Sequence, residues 1–142
     1  MRLTPVLLAG ALALAGCGKN EQPASGEGAA TTAEAPAPAI EPTAAMGEQI
    51  FRRCVACHTI DKGGRNGIGP NLHGIVGRAI ASYPDFSYSG AMKAKGGVWD
   101  EAALDTYLEA PMKAIPGTRM AFAGVIDPAD RKALILYLDT QK

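Results

Sequence analysis

A chain of 142 residues has room for one domain with a modest hydrophobic core. Hydrophobic residues make up 47% of it and charged residues 20%, which is the composition of an ordinary soluble globular domain. Lysine plus arginine and aspartate plus glutamate are equal at 14 each, so the totals lack the strongly basic footprint of a nucleic-acid-binding protein, and no nucleic-acid partner is expected.

The first 16 residues have the pattern of an export signal. Arg2 precedes an apolar run, residues 5–15, that is shorter than the roughly 20 residues of a membrane-spanning helix. The run ends in the sequence LAGC, which resembles the lipobox of bacterial lipoproteins, where the signal is cut before a cysteine that then carries the lipid. This resemblance implies a signal peptide at 1–16 and lipid attachment at Cys17. An ordinary secretory signal that contains a cysteine is the alternative, and export is expected in both cases.

Residues 17–45 hold the lipid-anchor cysteine and a segment rich in Ala, Pro, Glu and Gly. The 28 residues that follow the cysteine include one large aliphatic residue, Ile40, and no aromatic residue. Such a segment cannot bury enough apolar surface to offset the entropy of ordering it. We therefore expect a flexible linker, followed by a folded domain over residues 46–142.

Four helices are predicted in residues 46–142, and strand signals are nearly absent. Apolar residues at helical spacing predict the first helix over residues 46–57. Three N-cap residues predict where the other helices begin, and glycine or proline marks two of the ends. The caps are Ser89, with its helix stopping at Gly96-Gly97; Asp100, with an inner face of Leu104, Tyr107 and Leu108 and with Pro111 beyond its end; and Asp127 before Pro128, with an inner stripe of Leu134, Tyr137 and Leu138.

Two long glycine-rich stretches, residues 59–88 and 111–126, are predicted to be loops. Loops of this length are uncommon in a compact domain unless they serve a function of their own. We therefore expect these loops to wrap around a bound group.

The sequence FRRCVACHTI, residues 51–60, predicts that group. Cys54, Cys57 and His58 form a C-x-x-C-H motif, which is the attachment signature of c-type haem. Two cysteines three positions apart on a helical turn can form thioethers to two neighbouring vinyl groups, and the next residue then directs its ring to the iron. Export agrees with this interpretation, because c-type haem is attached outside the cytoplasm.

Three other interpretations of the motif are weaker. A structural zinc site needs a fourth ligand and usually a second cysteine pair, which this chain lacks. A thioredoxin-like redox pair occurs near a βαβ pattern, and no such pattern is present. A disulfide between Cys54 and Cys57 would close a very tight loop.

Beyond this motif, residues 46–142 resemble a class I cytochrome c of the mitochondrial type. The resemblance is carried by GEQIFRRCVACHTIDKGGRNGIGPNLHGIVGR, YPDFSYSGAMKAKGGVW, YLEAPMKAIPGTRMAFAG and ALILYL, in that order. It implies an all-α class I cytochrome c fold, with about four to five short helices and long loops wrapped around one covalently attached haem. The cofactor would be a single haem c bound through Cys54 and Cys57.

The resemblance also implies the iron ligands. His58 would be the proximal ligand, with its other ring nitrogen oriented by the carbonyl of Pro70. Met120, in PGTRM, would be the distal ligand, and His/Met ligation raises the reduction potential. His73 is the rival sixth ligand, but the NLHG segment is a loop in the family.

Other roles follow from the same resemblance. Arg78, Tyr88 and Trp99 would hold the haem propionates. Tyr107 and Thr118 would lie near the Met120 sulfur. A close crossing of the first and last helices would involve Gly47, Phe51 and Tyr137, and Met92 departs from the asparagine that mitochondrial relatives usually carry.

These residues predict a membrane-tethered one-electron carrier and not an enzyme, because both axial positions of the iron would be filled. The alternative is a haem enzyme or ligand sensor with a labile sixth ligand. The resemblance points to a quinol–cytochrome c reductase as electron donor and to a terminal oxidase or photosynthetic reaction centre as acceptor. We expect a monomer anchored on the periplasmic side of a bacterial membrane, inner or outer.

Overall fold

The computed structural model describes residues 40–142, so the predicted signal peptide, Cys17 and most of the predicted linker lie outside the described residues. Five α-helices follow one another along this part of the chain: α1 (Ala44–Phe51), α2 (Gly90–Lys95), α3 (Glu101–Glu109), α4 (Pro111–Ala114) and α5 (Pro128–Thr140). Residues 40–142 contain no β-strand, and a single antiparallel bridge pairs Ala79 with Val98. The all-α prediction is confirmed.

Three predicted helix starts are confirmed by their capping hydrogen bonds. Ser89 accepts from the N–H of Met92, Asp100 from that of Ala103, and Asp127 from those of Ala129 and Asp130. Each side-chain oxygen satisfies a backbone donor that has no partner within its own helix. The starts of α2, α3 and α5 are therefore determined by local sequence.

The first helix differs from its predicted bounds of 46–57. It starts two residues earlier, at Ala44, because Thr43 caps it by accepting from the N–H of Met46 at 3.3 Å. It ends at Phe51, after which the N–H groups of residues 52–54 donate to carbonyls three residues back instead of four. This tighter pattern turns the chain through Cys57 and leaves both cysteines beyond the regular helix.

The second predicted loop, residues 111–126, also needs correction. Its first residues form the one-turn helix α4, which begins at Pro111, where a missing N–H costs no hydrogen bond. The remainder, and residues 59–88 apart from the bridge at Ala79, are loops and turns as predicted.

Helices α1 and α5 cross closely. The aromatic rings of Phe51 and Tyr137 have centroids 5.3 Å apart. A Cβ on Gly47 would overlap the backbone carbonyl of Ala133 and lie 2.7 Å from the Cβ of Tyr137, so only glycine allows this approach. The predicted crossing is confirmed, and it closes one side of a core to which α2, α3 and α5 contribute.

Candidate functional site

Two thiols and an imidazole lie on the turns that follow α1. The N–H groups of Cys57 and His58 both donate to the carbonyl of Cys54 at 3.0 Å, so all three residues share one turn of chain. Cys54 packs against the core, and burial raises the pKa of its thiol while the neighbouring Arg53 opposes that shift. The two sulfurs are not joined in a disulfide in this structure, which leaves both available for thioether bonds.

His58 is held in one tautomer. Its Nδ1 lies 2.7 Å from the carbonyl oxygen of Pro70, and because a carbonyl only accepts, Nδ1 must carry the proton and Nε2 the lone pair. Burial lowers the pKa of His58, which favours the neutral ring. The ring also packs against Gly69, where a Cβ would overlap it. A neutral imidazole with a free Nε2 is the form that binds a metal.

Asn71, which no motif in the sequence indicates as a site residue, organises the loop that supplies the Pro70 carbonyl. Its side chain is fully buried and donates to Thr59 Oγ1 at 2.7 Å and to the carbonyl of Asp61 at 3.0 Å. Its Oδ1 accepts from the N–H of His73 at 2.8 Å. A signal was present, since asparagine in a loop commonly bonds nearby backbone, but its partners were not predictable.

A second group of predicted site residues surrounds Met120, which follows a short chain of hydrogen bonds. The hydroxyl groups of Tyr107 and Thr118 are 2.8 Å apart, and Thr118 Oγ1 accepts from the N–H of Met120 at 3.3 Å. Burial raises the pKa of Tyr107, so its phenol stays protonated. Met120 itself is half-buried against the core. Helix α3 therefore positions the backbone of the predicted distal ligand through two hydroxyl groups.

Arg78, Trp99 and Tyr88 form a third group. Trp99 donates its backbone N–H to the carbonyl of Arg78 at 2.9 Å, which fixes these two residues side by side. The Arg78 guanidinium donates to the carbonyls of His73 and Asn71 at 3.1 Å each and lies over the ring of Tyr83, 4.7 Å from its centroid.

The third member, Tyr88, adds a phenol to this group. Its hydroxyl oxygen accepts from the N–H of Tyr83 at 3.3 Å, and burial raises its pKa, so its own proton remains available to donate. Trp99 packs beside Tyr107, with ring centroids 5.0 Å apart, which joins this group to the Met120 side.

The structure thus collects the predicted site residues into three groups. One holds Cys54, Cys57, His58 and Pro70; one holds Tyr107, Thr118 and Met120; and one holds Arg78, Tyr88 and Trp99. Met92 is buried on α2 and contributes a thioether to the core. The donor set fits a c-type haem: two free thiols, a neutral imidazole, a thioether, and donors suited to carboxylates.

Comparison with known proteins agrees with this assignment. The profile of the family described as Cytochrome c matches residues 44–142. Cytochrome c2 from Rhodomicrobium vannielii is 46% identical over 95 residues, covering 67% of this chain and 76% of its own length. Cytochrome c2 from Agrobacterium tumefaciens is 48% identical over 97 residues, covering 66% and 87%. The solved structure of cytochrome cH from Methylobacterium extorquens superposes with a TM-score of 0.65 at 41% identity, covering 69% of this chain and 98% of that one.

The fold and the thiol–imidazole turn define a protein that carries a covalently attached haem. This chain belongs to the cytochrome c family and has the class I cytochrome c fold. Its cofactor is haem c, attached at the C-x-x-C-H motif of Cys54 and Cys57. It is an electron carrier between redox partners and not an enzyme.

Proposed function

We propose that this protein is a membrane-tethered one-electron carrier whose iron is held between His58 and Met120. The observation that carries the proposal is the 2.7 Å hydrogen bond from His58 Nδ1 to the carbonyl of Pro70, because it leaves Nε2 as a lone pair in a half-buried ring. The haem, when bound, supplies a one-electron couple. The chain supplies attachment, ligands and charge partners.

His58 would be the proximal ligand. Its hydrogen bond to Pro70 fixes ring orientation and increases the basicity of the opposite nitrogen. The ring has little freedom to turn, because Gly69 packs against it and Asn71 ties down the loop that contains Pro70.

Met120 would be the distal ligand. A thioether is a soft donor and favours ferrous iron, so His/Met ligation gives a higher reduction potential. Two hydroxyl groups, on Tyr107 and Thr118, fix the backbone that carries the thioether. With His58 and Met120 both bound to the iron, no coordination site would stay open for a substrate, which suits an electron carrier.

Arg78, Tyr88 and Trp99 would hold the two propionates of the haem. A buried carboxylate is costly unless it is paired and hydrogen-bonded. A guanidinium, a phenol and an indole N–H are donors suited to that task, and backbone pairing keeps Arg78 and Trp99 adjacent.

The tether would be a lipid on Cys17, joined by a flexible linker over residues 17–45 to the domain of residues 46–142. Its support is the sequence alone: a short apolar run ending in LAGC, then a segment with too few apolar residues to fold. No helix within residues 40–142 is both long enough and apolar enough to span a membrane. Bacterial members of the family are typically periplasmic, and we place this domain on the periplasmic side of its membrane.

The partners would be membrane complexes. The resemblance to class I cytochromes c implies a quinol–cytochrome c reductase as electron donor and a terminal oxidase or a photosynthetic reaction centre as acceptor. The relatives named cytochrome c2 support the carrier role itself. Because one chain would supply both iron ligands, no second copy of the chain would be needed, and the carrier would act as a monomer.

Replacing Met120 by alanine tests the ligation. Met120→Ala should keep the haem attached, lower the reduction potential by a measurable part of the roughly 0.8 V range that axial ligands set, and open the iron to added ligands, because the soft donor is lost. The matched control is Met112→Ala, an exposed methionine of α4. A redox titration of both variants is the measurement, and equal potentials in the two would refute Met120 as the ligand.

A further inference from the structure

Arg131 is a buried cation that the proposed site does not use. Only 7% of the residue is exposed on α5. Its Nη1 donates to the carbonyls of Val125 at 3.0 Å and Ile126 at 2.7 Å. Its Nε donates to Asp105 Oδ1 at 2.7 Å, and its Nη2 lies 3.4 Å from Asp105 Oδ2. The guanidinium is therefore oriented by a carboxylate on α3 and directed at the backbone of the segment between α4 and α5.

That segment contains Met120, and its later residues connect Met120 to α5. Val125 also donates its N–H to the carbonyl of Leu108 at 2.8 Å, so this end of the segment lies against α3. Gly124 packs so closely on the carbonyl of Glu109 that a Cβ there would overlap it. The part of the chain that follows Met120 is thus held in place both by contacts with α3 and by the hydrogen bonds from Arg131.

Arg53 provides a second cationic contact to the same segment. Its Nη2 donates to the carbonyl of Gly124 at 3.0 Å, and its guanidinium lies 5.1 Å from the centroid of the Phe122 ring. Three consecutive carbonyls, those of residues 124–126, therefore each accept from a guanidinium group. Arg53 is itself exposed, whereas Arg131 is buried and cannot exchange its partners for water without moving the segment.

We propose that Arg131, oriented by Asp105, is a positioning residue that holds the segment 120–126 against α3 and thereby keeps Met120 at the iron. The proposal rests on Met120 being the distal ligand. Thr118 and Tyr107 hold the chain just before Met120, and Arg131 holds the chain after it, so Met120 lies between two fixed points. The competing interpretation is an ion pair, buried at Arg131 and partly exposed at Asp105, that only joins α3 to α5.

Asp105→Asn is the informative change, because asparagine keeps the shape and one acceptor oxygen but removes the charge that orients the guanidinium. The matched control is Asp139→Asn, which breaks the exposed Lys142–Asp139 pair at the end of the same helix α5. Thr43→Ala is the stability control, since it removes the cap of α1 and touches none of the segment. All variants are prepared as the full chain with haem attached.

Two readouts separate positioning from general stability. Imidazole added to the oxidised protein must displace Met120. We therefore expect Asp105→Asn to bind imidazole on the order of tenfold more tightly than the parent protein, which corresponds to the free energy lost with one hydrogen bond to a charged group. Amide hydrogen exchange should quicken by a similar factor at Val125 while Leu134, in the α5 core, keeps its rate. Arg131→Lys should resemble Asp105→Asn, because an ammonium group cannot bond a carboxylate and two carbonyls in the same fork.

The positioning role and the purely structural ion pair predict different results. The proposal holds if Asp105→Asn changes both readouts while Asp139→Asn and Thr43→Ala change neither. It is overturned if Asp105→Asn behaves as either control does. If the parent protein binds imidazole as tightly as Met120→Ala, the ligation itself is wrong, and unaltered exchange at Val125 in Asp105→Asn would still overturn the role of Arg131.

Discussion

His58 shows how single residues set up the site. Its ring is oriented by a backbone carbonyl, it packs against a glycine, and its pKa is lowered by burial. Each constraint comes from the chain's own atoms. The imidazole is therefore preorganised in the neutral tautomer that a metal requires.

Gly69→Ala tests that preorganisation. The new methyl group would overlap the His58 ring, so the ring or the loop must shift. We expect the free energy of unfolding of the haem protein to fall by about 1–3 kcal/mol, the usual cost of overpacking, and the reduction potential to change with the ring orientation. Denaturant titration and redox titration measure the two effects.

Ile68→Ala is the control for that change. Ile68 is the preceding residue and is 80% exposed, so its truncation should leave both quantities nearly unaltered. If Gly69→Ala also leaves the free energy of unfolding and the reduction potential unaltered, the His58 ring is not confined as the structure shows.

At the scale of helices, local sequence and tertiary contacts contribute separately. The starts of α2, α3 and α5 could be predicted, because a capping side chain bonds a backbone N–H two or three residues away. The end of α1 could not be predicted, because apolar residues continue at helical spacing beyond Phe51 while the chain already tightens into turns.

The close approach of α1 to α5 predicts the effect of Gly47→Ala. In an open helix this change stabilises by roughly 0.5–1 kcal/mol, but here the methyl group would overlap the Ala133 carbonyl. We therefore expect a net loss of about 1–3 kcal/mol in the free energy of unfolding, measured by denaturant titration. Gly90→Ala is the matched control, since Gly90 is also helical and has no neighbour within 4 Å of a new Cβ. A stabilising Gly47→Ala would contradict the crossing.

The candidate site follows the same division. The residues proposed to hold the haem, from Cys54 to Met120, are indicated by local patterns, namely the C-x-x-C-H motif and the family segments. Asn71 and the Arg131–Asp105 pair could not be predicted, because their partners lie as much as 26 residues away and depend on how the loops pack. The supporting contacts of a site are the part that sequence patterns reveal least.

At the scale of the whole molecule, anchor and domain are separate predictions. Replacing Cys17 by serine should release the protein into the soluble fraction without altering its haem spectrum, because about 28 linker residues with a root-mean-square reach of roughly 30 Å separate the anchor from the fold. Membrane fractionation followed by an absorption spectrum is the measurement. Continued retention in the membrane would indicate an uncleaved hydrophobic anchor instead of a lipid.

The central claim is that this cytochrome c domain carries electrons with both axial positions of its iron filled by His58 and Met120. Carbon monoxide binding to the reduced full chain at neutral pH tests it most directly, because carbon monoxide needs an open position on ferrous iron. We expect the spectrum of the reduced protein to stay unchanged under carbon monoxide, while Met120→Ala binds it at once. Rapid and complete binding by the unaltered protein would contradict the claim and favour a haem enzyme or ligand sensor.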